Sequence, residues 1–413
     1  MDFSLSSSLV GSAVSNPDKL ALDLQFAADK TLTARKGPTP AFTRASSATF
    51  VGSNGLIQSA GNNVARFDHD PVSLACKGLL IEESRTNTLI QSNDFANVAW
   101  VKSNIGIGST TNLSPDGSNN ATLLIAGTAS VSWIFRSGIT NSGSTVTFFA
   151  KSSGKRWAVV DASSGAGTAG VWFDLQNGVV GTVQSGYTAS IQQFPNGFYR
   201  CRVTYPSSGA GTFCVIGVSD NNGLFTSTAS GSNGIIFYGA QLEAGSFPTS
   251  YIPTTTASVI RSADVCSITA SAFSGFYNPL EGTAVAVASA NGFTTTNNSI
   301  YGIESGTTVV TRVFNRVAQG SRLSSQISAT TLTPTVNYNS TNVVYKSALA
   351  ADINGADYVI DGTQIPDSYA GSSLSADNLK FTGISGSTSN NTISSFRYYK
   401  KRLPVAKLQT LTV

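Results

Sequence analysis

Apolar residues in this chain come in short runs that alternate or cluster over a few positions and then stop at Gly, Asn, Ser or Asp. Such a texture predicts strands. Alternation sends successive side chains to opposite faces of a sheet, whereas a helix needs an apolar stripe that returns every three or four positions. Within 93–253 the runs 121–126, 130–135, 144–151, 157–161, 170–174, 198–204, 212–219 and 234–243 read as strands. Turn signals separate them: Pro115-Asp116-Gly117, Asn177-Gly178, Asn196-Gly197, Asn221-Asn222-Gly223 and Asn233-Gly234. Their regular spacing predicts one jelly-roll sandwich.

Residues 265–413 repeat the texture, with strands expected over 282–290, 299–304, 308–314, 342–350, 358–360, 378–384 and 392–399. An Asp361-Gly362 turn follows one of them, and a closing helix over 404–411 would set Leu408 and Leu411 on one face. Ahead of both regions, 1–92 holds an alternating run at 22–26 and two strand-like runs around Gly52-Ser53-Asn54-Gly55. That segment has too few apolar positions to stand alone and is expected to complete a later sandwich. The Thr- and Ser-rich 254–264 reads as a linker. An all-β chain of tandem antiparallel sandwiches is the expectation, because 413 residues exceed one ordinary core. No repeat of solenoid length and no heptad segment is present.

Composition narrows the function. Charged residues are only 12% of the chain, but 41% hydrophobic residues can fill a core, which excludes disorder. The net charge of +4 is dispersed, and Lys400-Lys401-Arg402 is its single basic run, so nucleic acid is not an expected partner. No stretch has the roughly 20 apolar residues of a membrane span. The first residues lack the charged start and apolar core of a secretion signal, so synthesis in the cytosol is expected. Cys76, Cys201, Cys214 and Cys266 lack the paired spacing of a zinc site. Cys201 and Cys214 lie on neighbouring runs that a hairpin could bring together, although reduced cysteines are expected.

The densest charge surrounds Gly78-Leu79-Leu80-Ile81: Arg66, Asp68, Asp70, Lys77, Glu82, Glu83 and Arg85. Charges near an apolar run are buried only when paired, so Arg66, Asp68, Asp70, Glu82, Glu83 and Arg85 are expected to form a structural ion-pair cluster. The only histidine, His69, sits among them. Any His-dependent nucleophilic mechanism must pass through it, yet no Gly-x-Ser-x-Gly elbow accompanies it. Alternation turns His69 away from Asp68 and Asp70, which argues against metal ligation. No phosphate loop occurs, and neither a cofactor, a metal nor a catalytic residue is expected. Glycoside hydrolysis needs only two carboxylates, which Asp161 with Asp174, or Glu281 with Glu304, would supply if adjacent strands joined them. Sugar binding needs aromatic faces beside short polar groups. Trp133, Trp157 and Trp172, with Asp174, are the candidates. If Val171 and Phe173 face the core, Trp172 and Asp174 share the outer face; otherwise Trp172 is core. Trp100 reads as packing.

Five strings carry a resemblance. They are Phe42-Thr43-Arg44-Ala45-Ser46-Ser47-Ala48-Thr49-Phe50, Arg66-Phe67-Asp68-His69-Asp70-Pro71, and Gly78-Leu79-Leu80-Ile81-Glu82-Glu83 with Arg85-Thr86-Asn87. Gly239-Ala240-Gln241-Leu242-Glu243-Ala244-Gly245-Ser246-Phe247-Pro248-Thr249-Ser250-Tyr251-Ile252-Pro253-Thr254 and Tyr398-Tyr399-Lys400-Lys401-Arg402-Leu403 complete the set. Together they resemble a recurrent pattern in structural proteins of tailed bacteriophages, of the fibre, spike or head-decoration type. The resemblance implies a carbohydrate-binding-module-like jelly roll followed by a laminin-G or concanavalin-A-like sandwich. It further implies a virion exterior location, contacts with other virion proteins, a homotrimer, and recognition of host-surface glycan without catalysis. A purely structural capsid-decoration or tail-connecting role is the alternative, and a polysaccharide depolymerase is a second.

Overall fold

The computed structural model describes residues 18–127, 131–161, 167–207, 211–229, 231–292, 297–316, 322–328, 330–332, 343–366, 374–385 and 387–413. It is all-β, as the runs predict, and consists of sheets packed as sandwiches, antiparallel except where Asn297–Ser305 meets Ser387–Thr388, with three short α-helices and one 3-10 turn among the described residues. The leader at 1–17 lies outside the described residues.

The central sandwich has two six-stranded sheets. One runs, in spatial order, Thr188–Gln193, Tyr199–Thr204, Ser144–Ser153, Gly234–Ala244, Thr122–Ala126 and Ile105–Gly108. The other runs Val179–Val183, Gly170–Asp174, Trp157–Asp161, Phe213–Ser219, Ser132–Ser137 and Val101–Ser103. Alternate residues of both sheets meet in one core, among them Val146, Phe148, Val171, Phe173, Cys201, Val203, Ile216 and Phe237. Cys201 and Cys214 lie on different sheets across that core, so the hairpin that could have joined them does not form. All four cysteines are free.

The second sandwich draws strands from both sides of the central one. In one sheet, Asn391–Tyr399 pairs with Glu281–Ala290 on one edge, and on the other with Cys76–Ile81 near its start and Leu20–Leu24 near its end. In the other, Ala41–Thr43 pairs with Val265–Thr269. The N-terminal segment alone buries too little; its Leu22, Leu24, Leu79 and Ile81 enter a core with Ile268, Phe381 and Phe396. The central sandwich is therefore inserted into the second one, and the chain passes in and out through a narrow neck. There Arg85–Asn87, entering, pairs antiparallel with Val259–Arg261, leaving. The stretch read as a linker is this neck, and Arg261 within it is buried. The closing helix, Val405–Thr412, buries Leu408 against Val285, Ala348 and Val359.

Gly78, inside the strand Cys76–Ile81, shows why the charged string contains a glycine. Its φ is +119°, and a Cβ there would stand 2.1 Å from the Ile393 carbonyl oxygen of the paired strand. Gly78→Ala is therefore expected to lose about 2 kcal/mol or more in urea unfolding. Gly61→Ala, where a Cβ meets nothing within 4 Å, is the control and should be near neutral.

Candidate functional site

The charged string folds into the neck. Cys76–Ile81 carries Glu82 to the point where Arg66, from the preceding strand-turn, crosses it. Arg66 Nη1 donates to Glu82 Oε2 at 2.7 Å and Nη2 to Asp264 Oδ2 at 2.6 Å. Asp264 also accepts from Arg44 Nη1 at 3.1 Å and from the Glu82 backbone N–H at 2.8 Å. Arg261 Nε lies 3.5 Å from Glu82. Ser250 donates to Glu82 through both its backbone N–H and its hydroxyl, each at 2.7 Å. Every side chain of this five-membered cluster is buried. Of the six residues expected to pair, Arg66 and Glu82 join it, while Arg85 pairs with Glu83 beside it. Asp68 holds Lys77 at 2.6 Å, and Asp70 caps its own turn through Val72 N–H, Ser73 N–H and the Ser73 hydroxyl. Arg44, Arg261 and Asp264 were missed, because nothing local marks two segments almost 200 residues apart as neighbours (Arg66 and Asp264 are separated by 198).

Burial pushes the Glu82 carboxyl up, but the charges of Arg261 and Arg66 and the Ser250 hydrogen bonds outweigh it and bring its pKa down to about 2. Burial likewise opposes the charge on Arg66, yet Glu82 and Asp264 hold its pKa above the ordinary value. Arg44, beside Arg66 and behind the same burial, is lowered. The cluster joins three guanidinium groups to two carboxyl groups.

Beside the neck a cleft of about 420 Å³ opens between the two sandwiches, within the size range of small-ligand sites. One wall is the outer face of the Thr188–Gln193 sheet, with Ser190, Gln192, Arg200, Arg202, Phe149 and Phe194. The opposite wall is Ser289, Asn291 and Val344 of the second sandwich. Thr49, Phe50 and Val51 of the N-terminal hairpin, and Pro248 to Tyr251 of the exit segment, close it, and Asp68, Asp70, Lys77 and Glu82 reach it from the neck. Cys201 and Val203 point into the core, so Arg200 and Arg202 alternate outward. Register places Ser190 opposite Arg202 and Gln192 opposite Arg200. Burial of Asp70 is outweighed by its turn hydrogen bonds, so its pKa is lowered, as is that of Glu82. Both carboxylates are therefore acceptors at neutral pH.

The tryptophan candidates lie on the other side of the sandwich. Val171 and Phe173 do face the core, which sends Trp172 and Trp133 to the outer face of the second central sheet. A loop covers them there. Phe225 packs edge-on against both rings, and Trp172 Nε1 donates to the Leu224 carbonyl at 2.9 Å, leaving Trp172 only 3% exposed. Trp157 is half-buried with the Arg156 guanidinium 5.1 Å over its ring. Asp174 is a buried turn cap, accepting from Arg156, Gln176 N–H and Asn177. A sugar-binding platform of Trp133, Trp172 and Asp174 is thus corrected: protein groups already occupy those faces. The carboxylate pairs are not brought together either. Asp161 lies opposite Gly170 while Trp157 lies opposite Asp174, and Glu281 and Glu304 belong to different sheets. His69 Nδ1 faces the Val51 carbonyl at 3.2 Å, and among the described residues no three His, Cys, Asp or Glu side chains converge on a metal position.

No family model matches this chain, and no curated protein matches it. Several solved structures show low similarity. Trypanosoma rangeli sialidase in complex with the inhibitor DANA is 9% identical at a TM-score of 0.30, covering 75% of this chain and 62% of that one. Domain 4 of AbnA, a GH43 extracellular arabinanase from Geobacillus stearothermophilus in complex with arabinotriose, is 11% identical at 0.29, covering 41% and 84%. Against a mutant T. rangeli sialidase displaying trans-sialidase activity, the match spans 22% of that chain. Likenesses this low carry neither ligand nor reaction over to this chain. Sialidases and an arabinanase are among these matches, against the expectation that the chain is no enzyme, and at this likeness they assign it no reaction.

The neck generates a pH prediction. A carboxylate with its folded pKa depressed from 4.5 to about 2 contributes stability that is present above about pH 4.5 and lost as pH falls toward 2. Glu82→Gln should cost about 3–5 kcal/mol in urea unfolding at pH 7, because it strands buried guanidinium charge. Its stability should also fall less steeply than wild type between pH 4.5 and 2.

Proposed function

We propose that this chain is an exterior virion protein of a tailed bacteriophage, a tail fibre, spike or head fibre, and that the cleft between its sandwiches recognises host-surface glycan. One observation carries the reading: an open cleft walled by both sandwiches, lined by phenylalanine faces and by hydroxyl, amide and charged groups. Sugars present apolar ring faces and hydroxyls together, and this lining offers a partner for each. The five motif strings support the virion assignment, since four of them build the cleft and its neck. Ser250 and Tyr251, Thr49 and Phe50, and Asp68, Asp70 and Glu82 all belong to those strings. Assembly as a trimer with other virion proteins is part of the same proposal.

The test is binding of the full chain to polysaccharide extracted from the host surface, with reducing ends followed in the same samples so that turnover is seen if it occurs. Gln192 is exposed at the cleft wall, so Gln192→Trp fills the opening without entering a core. Wild-type chain should bind and Gln192→Trp should bind about tenfold more weakly at unchanged melting temperature. Binding that Gln192→Trp leaves intact, or no binding to any host polysaccharide, contradicts the proposal.

A further inference from the structure

Arg200 and Arg202 stand two residues apart on one strand, about 6.6 Å along it, and both side chains line the cleft. Six other arginines, Arg44, Arg66, Arg85, Arg156, Arg261 and Arg402, face carboxylates, whereas Arg136 and Arg312 bond neutral oxygens. Among the described residues, no carboxylate lies within 4.0 Å of Arg200 or Arg202. Neutral oxygens hold one edge of each fork. Arg200 Nη2 donates to the Thr249 carbonyl at 2.7 Å, and Arg202 Nη2 to the Ser246 carbonyl at 2.5 Å. Arg200 Nε is buried with no hydrogen-bond partner, and the guanidinium lies 5.7 Å over the Phe149 ring. Burial lowers both groups, and the like charge of Arg200 adds to it in bringing Arg202 to about 10. Two adjacent cations therefore share the cleft wall with no carboxylate in ion-pair contact, while the charges of Glu243, Glu82 and Asp68 act on Arg200 from farther off.

We infer that Arg200 and Arg202, with Ser190 and Gln192 opposite them, form a subsite for the anionic group of an acidic saccharide. The planar guanidinium fork matches a carboxylate in bidentate fashion, and the paired strand supplies a hydroxyl and an amide for the adjoining sugar hydroxyls. Sulfate esters offer the same charge with tetrahedral oxygens. This inference rests on the glycan reading of the cleft and adds the class of sugar.

Affinity electrophoresis of the full chain through gels holding polygalacturonate, dextran sulfate or neutral dextran tests it. Wild type should be retarded by polygalacturonate, less by dextran sulfate and least by dextran. Arg200→Gln with Arg202→Gln should weaken polygalacturonate binding about tenfold or more, while Lys401→Gln, an exposed cation elsewhere, should leave it unchanged. Ser190→Glu supplies a counter-charge from an exposed position opposite Arg202 and should abolish retardation without touching either arginine, so a misfolded double variant does not spare the inference. Polygalacturonate retardation that survives Ser190→Glu, or that Lys401→Gln reduces equally, overturns it. Retardation by neutral dextran alone overturns the acidic subsite and leaves the glycan cleft standing. Retardation by none of the three overturns the subsite, and host polysaccharide binding then decides the cleft separately.

Discussion

Arg66 lies between two carboxylates that reach it from opposite directions along the chain, and the arrangement of both sandwiches follows from that contact. Glu82 comes from the segment that enters the inserted sandwich and Asp264 from the segment that leaves it. At direct contact distances of 2.7 and 2.6 Å the attraction is strong, but so is the cost of removing three guanidiniums and two carboxylates from solvent. Such a cluster adds little net stability over an apolar one of the same shape. What it does is select one geometry, because any shift of the neck leaves a buried charge unpaired. Arg44 takes up the excess cation by donating to the Ala60, Gly61, Val64 and Ser46 carbonyls, which ties the N-terminal hairpin to the same point.

The cleft is a consequence. Its walls belong to different sandwiches, so their separation is set by the neck rather than by a shared core. Ser250 joins the two, since its backbone and hydroxyl bond Glu82 while its neighbours Pro248, Thr249 and Tyr251 line the opening. Thr249 in turn holds Arg200 through its carbonyl. The Thr249-Ser250 pair thus ties the ion-pair cluster to the Arg200 guanidinium on the cleft wall.

Much of the sheet structure is legible along the chain because alternation and turn residues act locally. Trp157–Asp161 and Gly170–Asp174 begin and end where their apolar runs do. Thr188–Gln193 escapes that reading, since only Ala189 and Ile191 are apolar in it, and its outward Ser190 and Gln192 look like loop. Yet the neighbouring Arg-Cys-Arg-Val alternation marks two outward cations, and it was the available signal for the cleft wall. The fate of Trp172 follows correctly from alternation up to the sheet face and no further. That face is roofed by Leu224 and Phe225, which sit in a loop with no periodicity to reveal where it folds back. Asp264 and Arg261 were illegible for a related reason: a Ser- and Thr-rich stretch reads as linker until its strand partner, Arg85–Asn87, is known.

The coupling of the two sandwiches through the neck is open to a direct measurement, because all four tryptophans, Trp100, Trp133, Trp157 and Trp172, belong to the inserted sandwich. Tryptophan fluorescence therefore reports that sandwich alone, and far-ultraviolet circular dichroism reports the whole chain. In urea the two signals should change together for wild type and separate for Arg66→Met, with each sandwich then unfolding at its own midpoint. Coincident transitions in Arg66→Met at the wild-type midpoint would contradict the account, as would separate transitions in the wild-type chain.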